Sequence, residues 1–505
     1  MKSLVCKIFL LPSIFLAVIF FSGCGVEYKQ INSLDDLKDA RIGAWPESAY
    51  HQLARKKFPD AQFVSLGFLS DLMLNLSQHK IDAFVIGKMY VENFKHAGID
   101  VKYLPESLGD VPLSYIFPKN ERGQKLRDQM NEFIATVEAN GELDALQQKW
   151  LHGDESGRTF AKSQLTGENG TLHVGTEALS PPFVYLRNQE IVGYEIELLD
   201  KFCAAYGYDY KIKIDAFPTM LADVSSGKLD VAMNALEILP ERQQNMLFAN
   251  PTYNEQAVAV VSVESSDENF FAALTNRIKL SLVDENRWQM LAEGAARTIY
   301  ITLLAIIFGT LLGFGVYMLY REGNRRVNRI IDAIYRTLQG VPIMVMLLFA
   351  YYVVFAYVEI PSSFVAATVF SIVLSITVFE LLKNGANAIP RGQTEAALAL
   401  GFSRRQAFVK FILPQVVRNL FSSYQVALNA TLLETSIVGY ISVQDLTKMG
   451  DMIRARTYDA FVPIIAVAII YLILSRLLLF VTDQIGRRLD PKRRTREKIL
   501  DGVKL

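Results

Sequence analysis

The sequence predicts a two-part protein, in which two α/β lobes precede an all-α membrane domain of five transmembrane helices. Residues 31–297 mix charged and apolar residues as soluble α/β domains do, whereas residues 298–482 are dominated by long apolar runs. In the first part, strand-like and helix-like segments alternate, and this order is typical of parallel sheets. A chain of 505 residues is long enough for these parts and their connections.

The composition argues against several classes of function. The chain has 52 lysines and arginines and 52 aspartates and glutamates, so bulk positive charge does not predict a nucleic-acid partner. Its three cysteines, Cys6, Cys24 and Cys203, are too few and too scattered for a disulfide framework or a metal site. We therefore expect no cofactor, no metal and no nucleic acid.

Residues 1–24 have the layout of a secretory signal, because Lys2 and Lys7 flank a short apolar run that ends in small residues. The ending Phe-Ser-Gly-Cys at 21–24 resembles a bacterial lipobox, in which Cys24 is lipidated and becomes the new N-terminus. The alternative is an uncleaved membrane anchor with an incidental cysteine. Both interpretations carry the chain from residue 25 out of the cytoplasm.

The two lobes share a sequence pattern. QHKIDAFVIG at 78–87 and SGKLDVAMNA at 226–235 each combine the end of a helix, a basic residue, an aspartate and an apolar strand. We assign one lobe to residues 31–152 and the other to residues 171–262. The polar, glycine-containing residues 153–170 between them are a linker.

Five apolar runs predict membrane helices, since a span needs roughly 20 apolar residues. An amphipathic segment, 263–296, precedes them as a linker and elbow helix. The membrane domain occupies residues 297–485, and its runs begin at residues 298, 341, 362, 424 and 461. Three polar residues inside these runs are candidates for the transport path, because polar groups in a span are costly and usually face a pathway or protein interior: Glu380, Asn429 and Glu434.

The distribution of lysine and arginine predicts the orientation of these helices. Five lie in 321–339, six in 383–418 and eight in the tail 486–505. Basic residues favour the cytoplasmic side. The basic tail is therefore expected in the cytoplasm, and the lobes outside it.

The stretch EAALALGFSRRQAFVKFILPQ, residues 395–415, predicts two helices and a tight turn on the cytoplasmic side. Gly401 supplies the permissive backbone that ends the first helix. Ser403 and Gln406 have the spacing of a capping box for the second. Pro414 marks the return to the membrane. Spacing alone is also compatible with an ordinary loop that carries one interfacial helix.

This stretch resembles the coupling-loop signature of binding-protein-dependent ABC importer permeases, which is Glu-Ala-Ala, three residues, Gly, nine residues and Ile-x-Leu-Pro. Phe411 replaces the isoleucine, and the residues that match in register are Glu395, Ala396, Ala397, Gly401, Leu413 and Pro414. The resemblance covers residues 290–485 and is strongest to the polar amino-acid branch. It implies the type I permease fold, and it implies that this loop fits a groove on the ATPase subunit.

The same resemblance implies partners. The sequence has no G-x-x-x-x-G-K-[ST] phosphate loop. ATP hydrolysis is therefore expected on a separate cytoplasmic ABC ATPase subunit, and the chain itself is not expected to be an enzyme. Such permeases work as pairs of membrane subunits, which implies a homodimer or pairing with a similar chain.

Segment 171–262 resembles the first lobe of periplasmic amino-acid-binding proteins of family 3, which close on a ligand as a Venus flytrap. VGTEALSPPFVYL, GYEIELLDKF and LPER carry this resemblance. Segment 31–152 resembles the second lobe, through DLKDARIGAW and return helices that end in Lys-Trp. The swapped order has two explanations: a circular permutation that makes one composite cleft, which we favour, or two truncated tandem domains.

The flytrap resemblance implies residues that contact the ligand. Arg242 matches the arginine that grips a carboxylate bidentately, and Phe217 matches the aromatic residue that packs on the ligand. Phe183 lies in the Pro-Pro-Phe turn, and Glu177 keeps an acidic group near the cleft entrance. Ser48, at a helix start in the other lobe, can offer hydroxyl and backbone donors.

Three positions that usually contact the ligand in this family carry other residues here. Glu237 stands where a serine or threonine helps to hold the carboxylate, Gly87 where an acidic residue receives the α-ammonium, and Ser180 where an aromatic is common. Three interpretations remain open. The ligand is not a standard α-amino acid, Glu237 takes over the ammonium, or the module has lost binding and only gates the permease.

The sequence thus predicts a permease subunit with a fused substrate-binding module. It would serve an ATP-driven importer of amino acids or related small polar solutes in a bacterial inner membrane, with the binding module on the periplasmic or extracellular side. A flytrap-gated channel or receptor is the alternative, but it gives no role to the coupling signature. A membrane-bound lytic glycosidase would need a catalytic domain, for which no residues remain.

Overall fold

The structure, a computed structural model, describes residues 31–96, 99, 101–262, 270–356, 358 and 360–489. The predicted leader with Cys24 and the tail beyond residue 489 lie outside the described residues. The chain divides into two compact units. The first unit contains residues up to Leu113, with Glu237–Leu239 and Tyr253–Asp267, and the second contains Ser114–Leu236, Pro240–Thr252 and the chain from Glu268 onward.

Thirteen strands occur in the described residues: β1 Arg41–Ala44, β2 Gln62–Ser65, β3 Ala83–Gly87, β4 Lys102–Tyr103, β5 Gly109–Pro118, β6 Thr171–Thr176, β7 Leu179–Ser180, β8 Val184–Arg187, β9 Glu190–Val192, β10 Asp209–Ile214, β11 Val231–Glu237, β12 Met246–Phe248 and β13 Tyr253–Val261.

Helices α1–α8 accompany these strands: α1 Ala49–Lys57, α2 Leu69–Ser77, α3 Lys88–His96, α4 Glu121–Ala139, α5 Glu142–Gln147, α6 Tyr194–Tyr206, α7 Phe217–Ser225 and α8 Pro240–Gln243. Helices α9–α18 follow: α9 Phe270–Ile278, α10 Arg287–Glu322, α11 Arg325–Gln339, α12 Ile343–Phe349, α13 Ser362–Ala388, α14 Arg391–Ala399, α15 Arg404–Ala407, α16 Leu413–Glu434, α17 Leu446–Thr457 and α18 Phe461–Leu489. Short 3₁₀ or π segments are Leu34–Leu37, Gln148–His152, Lys279–Val283, Asp284–Asn286, Ala350–Val354, Phe408–Ile412 and Thr435–Ile441.

The two units repeat one strand plan. In the first, β1 pairs in parallel with β2 and β3, and β13 runs antiparallel to β3. In the second, β6 pairs in parallel with β10 and β11, and β12 runs antiparallel to β5. The predicted parallel sheets are therefore confirmed. Strand β5 begins in the first unit and ends in the second, since the boundary falls at Leu113.

The aspartates of the shared sequence pattern have the same structural role. Asp82 accepts a hydrogen bond from the backbone N–H of Arg41 at 2.8 Å and pairs with the Arg41 side chain at 2.6 Å. Asp230 accepts from the backbone N–H of His173 at 2.9 Å and pairs with Arg122 at 2.5 Å. Each carboxylate thus ties the start of its own strand to the first strand of its sheet.

The helical part agrees with the predicted membrane domain. Three stretches of helix are long and apolar enough to cross a membrane, namely Phe271–Glu322, Ser362–Ala388 and Phe461–Arg488. Two further pairs of helices, bent by 100° and 53°, bring the number to five if each pair is one span. The run predicted as a span from 341 to 361 is helical over Ile343–Val354, with α12 beginning directly after Pro342.

Small residues let α10 and α13 approach closely. A Cβ atom at Gly309 would lie 2.8 Å from the carbonyl oxygen of Ser371, and one at Gly313 would lie 2.5 Å from that of Ser375. Close backbone approach at small residues is a common way for membrane helices to pack. These glycines therefore fix the central helix pair of the domain.

Candidate functional site

The lobe that carries β6–β11 packs directly against membrane helices within the second unit. Side chains from the lobe join buried side chains of α10 and α17 in one apolar cluster. The lobe contributes Ala178, Leu179, Leu186 and Ile214, and the helices contribute Met290, Leu291, Leu446, Met449, Met452 and Ile453. Burial of this apolar area favours a stable contact between lobe and helices.

Arg456 in α17 forms an ionic contact beside this cluster. Its guanidinium group donates to Glu155 at 2.8 Å and to Glu285 at 2.7 Å, and it lies 4.6 Å from the ring centroid of Tyr185. The Arg456 side chain is 12% exposed. Burial opposes ionisation of Glu155, but the arginines around it hold the pKa of Glu155 below its usual range. The segment predicted only as a linker therefore supplies an anchor.

Helix α7 and strand β10 each contact one of two adjacent tyrosines of the membrane domain. The Tyr352 hydroxyl donates to the Thr219 hydroxyl at 2.5 Å, and Thr219 donates to the carbonyl of Tyr440 at 3.2 Å. Lys213 donates to the Tyr351 hydroxyl at 3.0 Å. Tyr351 and Tyr352 lie in the π-helical turn after α12, a feature that is frequent at functional sites. Both tyrosines thus contact the same lobe.

Glu177 connects the candidate ligand residues of this lobe to α17. Its carboxylate pairs with the Lys448 ammonium at 3.2 Å and accepts from the backbone N–H of Phe217 at 3.4 Å. The Phe217 ring in turn lies under the Arg242 guanidinium, at 5.2 Å from its central carbon. The structure therefore brings Arg242 and Phe217 together, and it places Glu177 at the contact with the membrane domain.

The pair Lys448–Glu177 gives a testable prediction. Both side chains are largely buried, at 9% and 18% exposure. We expect Lys448→Met and Glu177→Gln each to lower the maximal rate of solute uptake while leaving the dissociation constant of the solute nearly unchanged. The double variant should be no worse than either single variant, because residues in contact couple by about 1 kcal/mol.

The double-mutant cycle has a matched control in the same lobe. Lys201 pairs with Glu142 at 2.7 Å, with both side chains about one-third exposed. Substitution of this pair should leave uptake unchanged, since exposed pairs contribute little. Additive losses in the Lys448–Glu177 cycle would contradict a shared role for the two residues.

Ser48 and Glu237 lie together in the first unit, at the start of α1. The Ser48 hydroxyl accepts from the backbone N–H of His51 at 3.1 Å and donates to the carbonyl of Trp45 at 2.7 Å, as an N-cap. The Glu237 carboxylate accepts from the backbone N–H of Ala49 at 2.9 Å. The donors proposed for a ligand at this helix start are thus engaged within the protein.

Phe183 and Ser180 belong to the interior of the second-unit lobe. The Phe183 ring has no exposed surface and packs edge-on against Tyr194, with ring centroids 6.2 Å apart. Ser180 is 2% exposed, and its hydroxyl donates to the carbonyl of Asn234 at 3.4 Å. Their surroundings favour a role in the core of the lobe.

The predicted helix–turn–helix at 395–415 is present. Helix α14 ends at Ala399, and Gly401 adopts φ +84°, the left-handed region that favours glycine. The Ser403 hydroxyl accepts from the backbone N–H of Gln406 at 3.2 Å, and the Gln406 side chain accepts from the backbone N–H of Ser403 at 2.9 Å. The expected capping box is confirmed.

The surface of this helix–turn–helix at 395–415 has features of a protein-binding site. Glu395 and Ala396 are exposed and Ala397 is buried. Two apolar side chains, Leu398 and Leu400, are 38% and 76% exposed. A short apolar patch with a polar rim is typical of a docking surface.

One arginine attaches this surface to α10. The Arg321 guanidinium donates to the carbonyl of Arg404 at 2.7 Å and lies 4.3 Å from the ring centroid of Phe408. A displacement of α15 would therefore be transmitted to the end of α10.

The three candidates for the transport path have different surroundings. Asn429 accepts from the Ser475 hydroxyl at 2.6 Å, which joins α16 to α18. Glu380 and Glu434 are partly exposed. Within the described ranges, neither of these two carboxylates has a hydrogen bond or an ion pair. Their role in a path remains a prediction.

Sequence analysis missed the residues that join the lobe to the membrane domain, notably Lys213, Thr219, Tyr351, Tyr352 and Arg456. Two signals could have indicated them. Adjacent tyrosines interrupt an apolar run at 351–352, and the connection 442–460 contains three basic residues. Neither signal identifies its partner, since the contacts lie more than 100 positions apart in the chain.

An α/β lobe thus packs on helices long and apolar enough to cross a membrane, and comparison with known proteins shows the family to which such a chain belongs. The sequence profile of bacterial extracellular solute-binding proteins, family 3, matches residues 172–397. The L-cystine transport system permease TcyB of Bacillus subtilis is 30% identical over 227 residues, which are 44% of this chain and 97% of TcyB. The glutamate transport system permease GluD of Corynebacterium glutamicum is 28% identical over 41% of this chain and 81% of its own length.

A solved amino acid ABC transporter crystallised with histidines shares 24% identity and a TM-score of 0.38, over 44% of this chain and all of its own. The near-complete coverage of TcyB, at 30% identity, establishes the family. The chain belongs to the amino-acid ABC importer permeases, with a family 3 solute-binding segment in the same polypeptide.

Proposed function

We propose that this chain is the membrane subunit of an ATP-driven importer and that it carries its own receptor for amino acids or related small polar solutes. The observation that carries the proposal is the packing of the β6–β11 lobe against α10 and α17, with Lys448–Glu177 and Arg456–Glu155 as ionic contacts. A lobe built into the permease in this way has no diffusional search for its partner.

The names of the relatives support the solute class. They include permeases of L-cystine, glutamate and arginine transport systems. In the second unit, Arg242 over Phe217 offers a cationic and aromatic surface for a small polar ligand. We propose that the chain transports a solute of this size and polarity. We also propose that it lies in an inner membrane, with the binding module on the periplasmic or extracellular side.

A separate ABC ATPase subunit would dock on the surface around Glu395, Ala396, Ala397 and Gly401. The exposed Leu398 and Leu400 beside a rigid turn support this assignment. The chain would place its C-terminus in the cytoplasm and act as a homodimer or with a similar permease. ATP-driven closure of the partner would move α15, and Arg321 would pass the movement to α10.

We also propose that segments 31–152 and 171–262 form one permuted flytrap and not two truncated ones. The support is that each unit repeats the same strand plan and that β5 begins in one and ends in the other. A second candidate function is a gate that has lost its ligand. The hydrogen bond from Ala49 to Glu237 favours it, because it occupies a donor that a ligand would use.

Uptake by the purified chain, reconstituted with its ATPase, tests this function. The expected result is saturable, ATP-dependent accumulation of at least one labelled amino acid or small amine, and its loss in Arg242→Ala. A chain that binds solute but conducts it without ATP would support the channel alternative. If none of the tested solutes is taken up in an ATP-dependent way, the proposal is contradicted.

A further inference from the structure

Two buried carboxyl groups lie near Tyr50 in the first unit. Tyr50, Glu237 and Glu255 are 3%, 8% and 1% exposed. Burial, together with the negative charges of Glu255 and Glu237, raises the pKa of the Tyr50 hydroxyl well above its ordinary value. The Glu255 side chain lies beside the Tyr50 hydroxyl, since both come within 3 Å of the position that a Cβ atom of Gly87 would take. The Glu237 carboxylate binds the backbone of the preceding residue, Ala49.

The Glu255 carboxyl group occupies the space that Gly87 leaves. Strand β13 pairs with β3 here, with Ala257 opposite Gly87. A Cβ atom on Gly87 would lie 2.4 Å from Cγ of Glu255 and 2.9 Å from the Tyr50 hydroxyl oxygen. Any other residue at position 87 would collide with Glu255. The position of the Glu255 side chain therefore depends on glycine at position 87.

One oxygen of Glu255 lacks a partner. Oε1 accepts from the backbone N–H groups of Met89 and Gln256, each at 3.1 Å. Oε2 is buried without a hydrogen bond, and no lysine or arginine among the described residues pairs with this side chain. Buried polar atoms are almost always satisfied, so this oxygen can accept one further donor. Burial raises the pKa of Glu255 to about 7, so a cation near it would favour the ionised form.

The neighbouring anion site is already filled. A helix N-terminus favours an anion, and at α1 that anion is Glu237, whose carboxylate accepts from Ala49 at 2.9 Å. The Ser48 hydroxyl is engaged with Trp45 and His51. A ligand carboxylate would have to displace Glu237 from this helix start, whereas an ammonium group could donate to the Glu255 oxygen that has no hydrogen bond.

We propose that this site recognises the ammonium group of a cationic amine and selects against an α-carboxylate, with Glu255 as the acceptor and Glu237 as the excluding residue. The inference rests on the proposed function and narrows its solute class. Among small polar solutes, amines that lack the α-carboxylate are bound in preference to the corresponding α-amino acids.

Matched ligand pairs test the inference on the full chain in lipid nanodiscs. Dissociation constants are measured by calorimetry for L-arginine and agmatine, L-lysine and cadaverine, L-histidine and histamine, and L-glutamate and 4-aminobutyrate. The expected result is that, in at least one pair, the amine binds at least tenfold more tightly than its amino acid. Equal or reversed affinities in every pair that binds would overturn the proposal, as would the absence of binding by all eight compounds.

Variants assign the preference to residues. Glu237→Ser should open the helix N-terminus and shrink the preference for the amine at least fivefold. Glu255→Gln should weaken amine binding at least tenfold. Glu106→Gln, at an exposed position of the first unit, is the control and should change affinities less than twofold. Unchanged selectivity in both Glu237→Ser and Glu255→Gln would also overturn the assignment.

The comparison of ligand affinities on the wild-type chain does not depend on the folding of any variant. Its outcome can also be told apart from that of the uptake assay. If amino acids bind more tightly than amines and are taken up with ATP, this inference fails and the proposed function stands. If amines bind but no solute is taken up, the proposed function fails.

Discussion

Replacement of Arg456 by methionine is expected to lower the free energy of unfolding of the second unit by about 1.5–3 kcal/mol, because it removes a largely buried guanidinium group that hydrogen-bonds two carboxylates. Arg456 bridges Glu155 and Glu285 at 2.8 and 2.7 Å, with 12% of its side chain exposed. Without it, Glu155 keeps Arg158 and Arg187 as ionic partners and Glu285 keeps Arg287, but the link between the two carboxylates is lost. The loss would be measured by denaturant unfolding of the purified chain, followed by fluorescence.

An exposed ion pair serves as the control for this prediction, and a double variant tests its cause. Arg487 pairs with Asp483 at 2.9 Å, but both side chains are more than one-third exposed, so Arg487→Met should change stability little. In the Arg456→Met background, Glu285→Gln should cost less than it does in the wild-type chain, because the Arg456–Glu285 contact is already lost. An Arg456→Met chain as stable as the wild type would contradict the proposed anchoring of the lobe.

Replacement of Gly401 by valine is expected to reduce ATP-dependent uptake at least tenfold while leaving solute binding intact. Gly401 has φ +84° and nothing within 4 Å of an added Cβ. Backbone strain alone, roughly 1–2 kcal/mol for a left-handed non-glycine residue, would therefore shift α14 relative to α15. The predicted ATPase surface would then lose its shape, whereas none of the candidate ligand residues is changed.

Uptake, solute affinity and co-purification of the ATPase subunit would be measured together. Gly392→Ala is the control, since Gly392 lies in α14 without a positive φ and also has open space around it. The control should be neutral or slightly stabilising, because alanine favours a helix. Normal uptake by Gly401→Val would show that this turn is not part of the coupling surface.

Local features were predictable from the sequence. The capping box of Ser403 and Gln406 and the left-handed Gly401 follow from backbone chemistry within a few residues, and both occur as expected. The Lys-x-Asp pattern before β3 and β11 reflects Asp82 and Asp230, each of which binds the backbone of the first strand in its sheet. Such patterns are visible because the same short-range geometry repeats.

The docking of the lobe was not predictable, because it depends on residues far apart in the chain. Glu177 was assigned to a ligand by resemblance, yet in the structure it pairs with Lys448, 271 positions away. The run from residue 341 was predicted as a regular span, but a π-helical turn presents Tyr351 and Tyr352 to the lobe instead. Apolar periodicity carries no information on such contacts.

The most direct test of the account is solute uptake into liposomes that contain only this chain and its ATPase subunit, with ATP enclosed on the cytoplasmic side. The account predicts saturable uptake without any added binding protein, because the receptor lobe is part of the permease. Uptake that appears only when a separate soluble binding protein is supplied would contradict it.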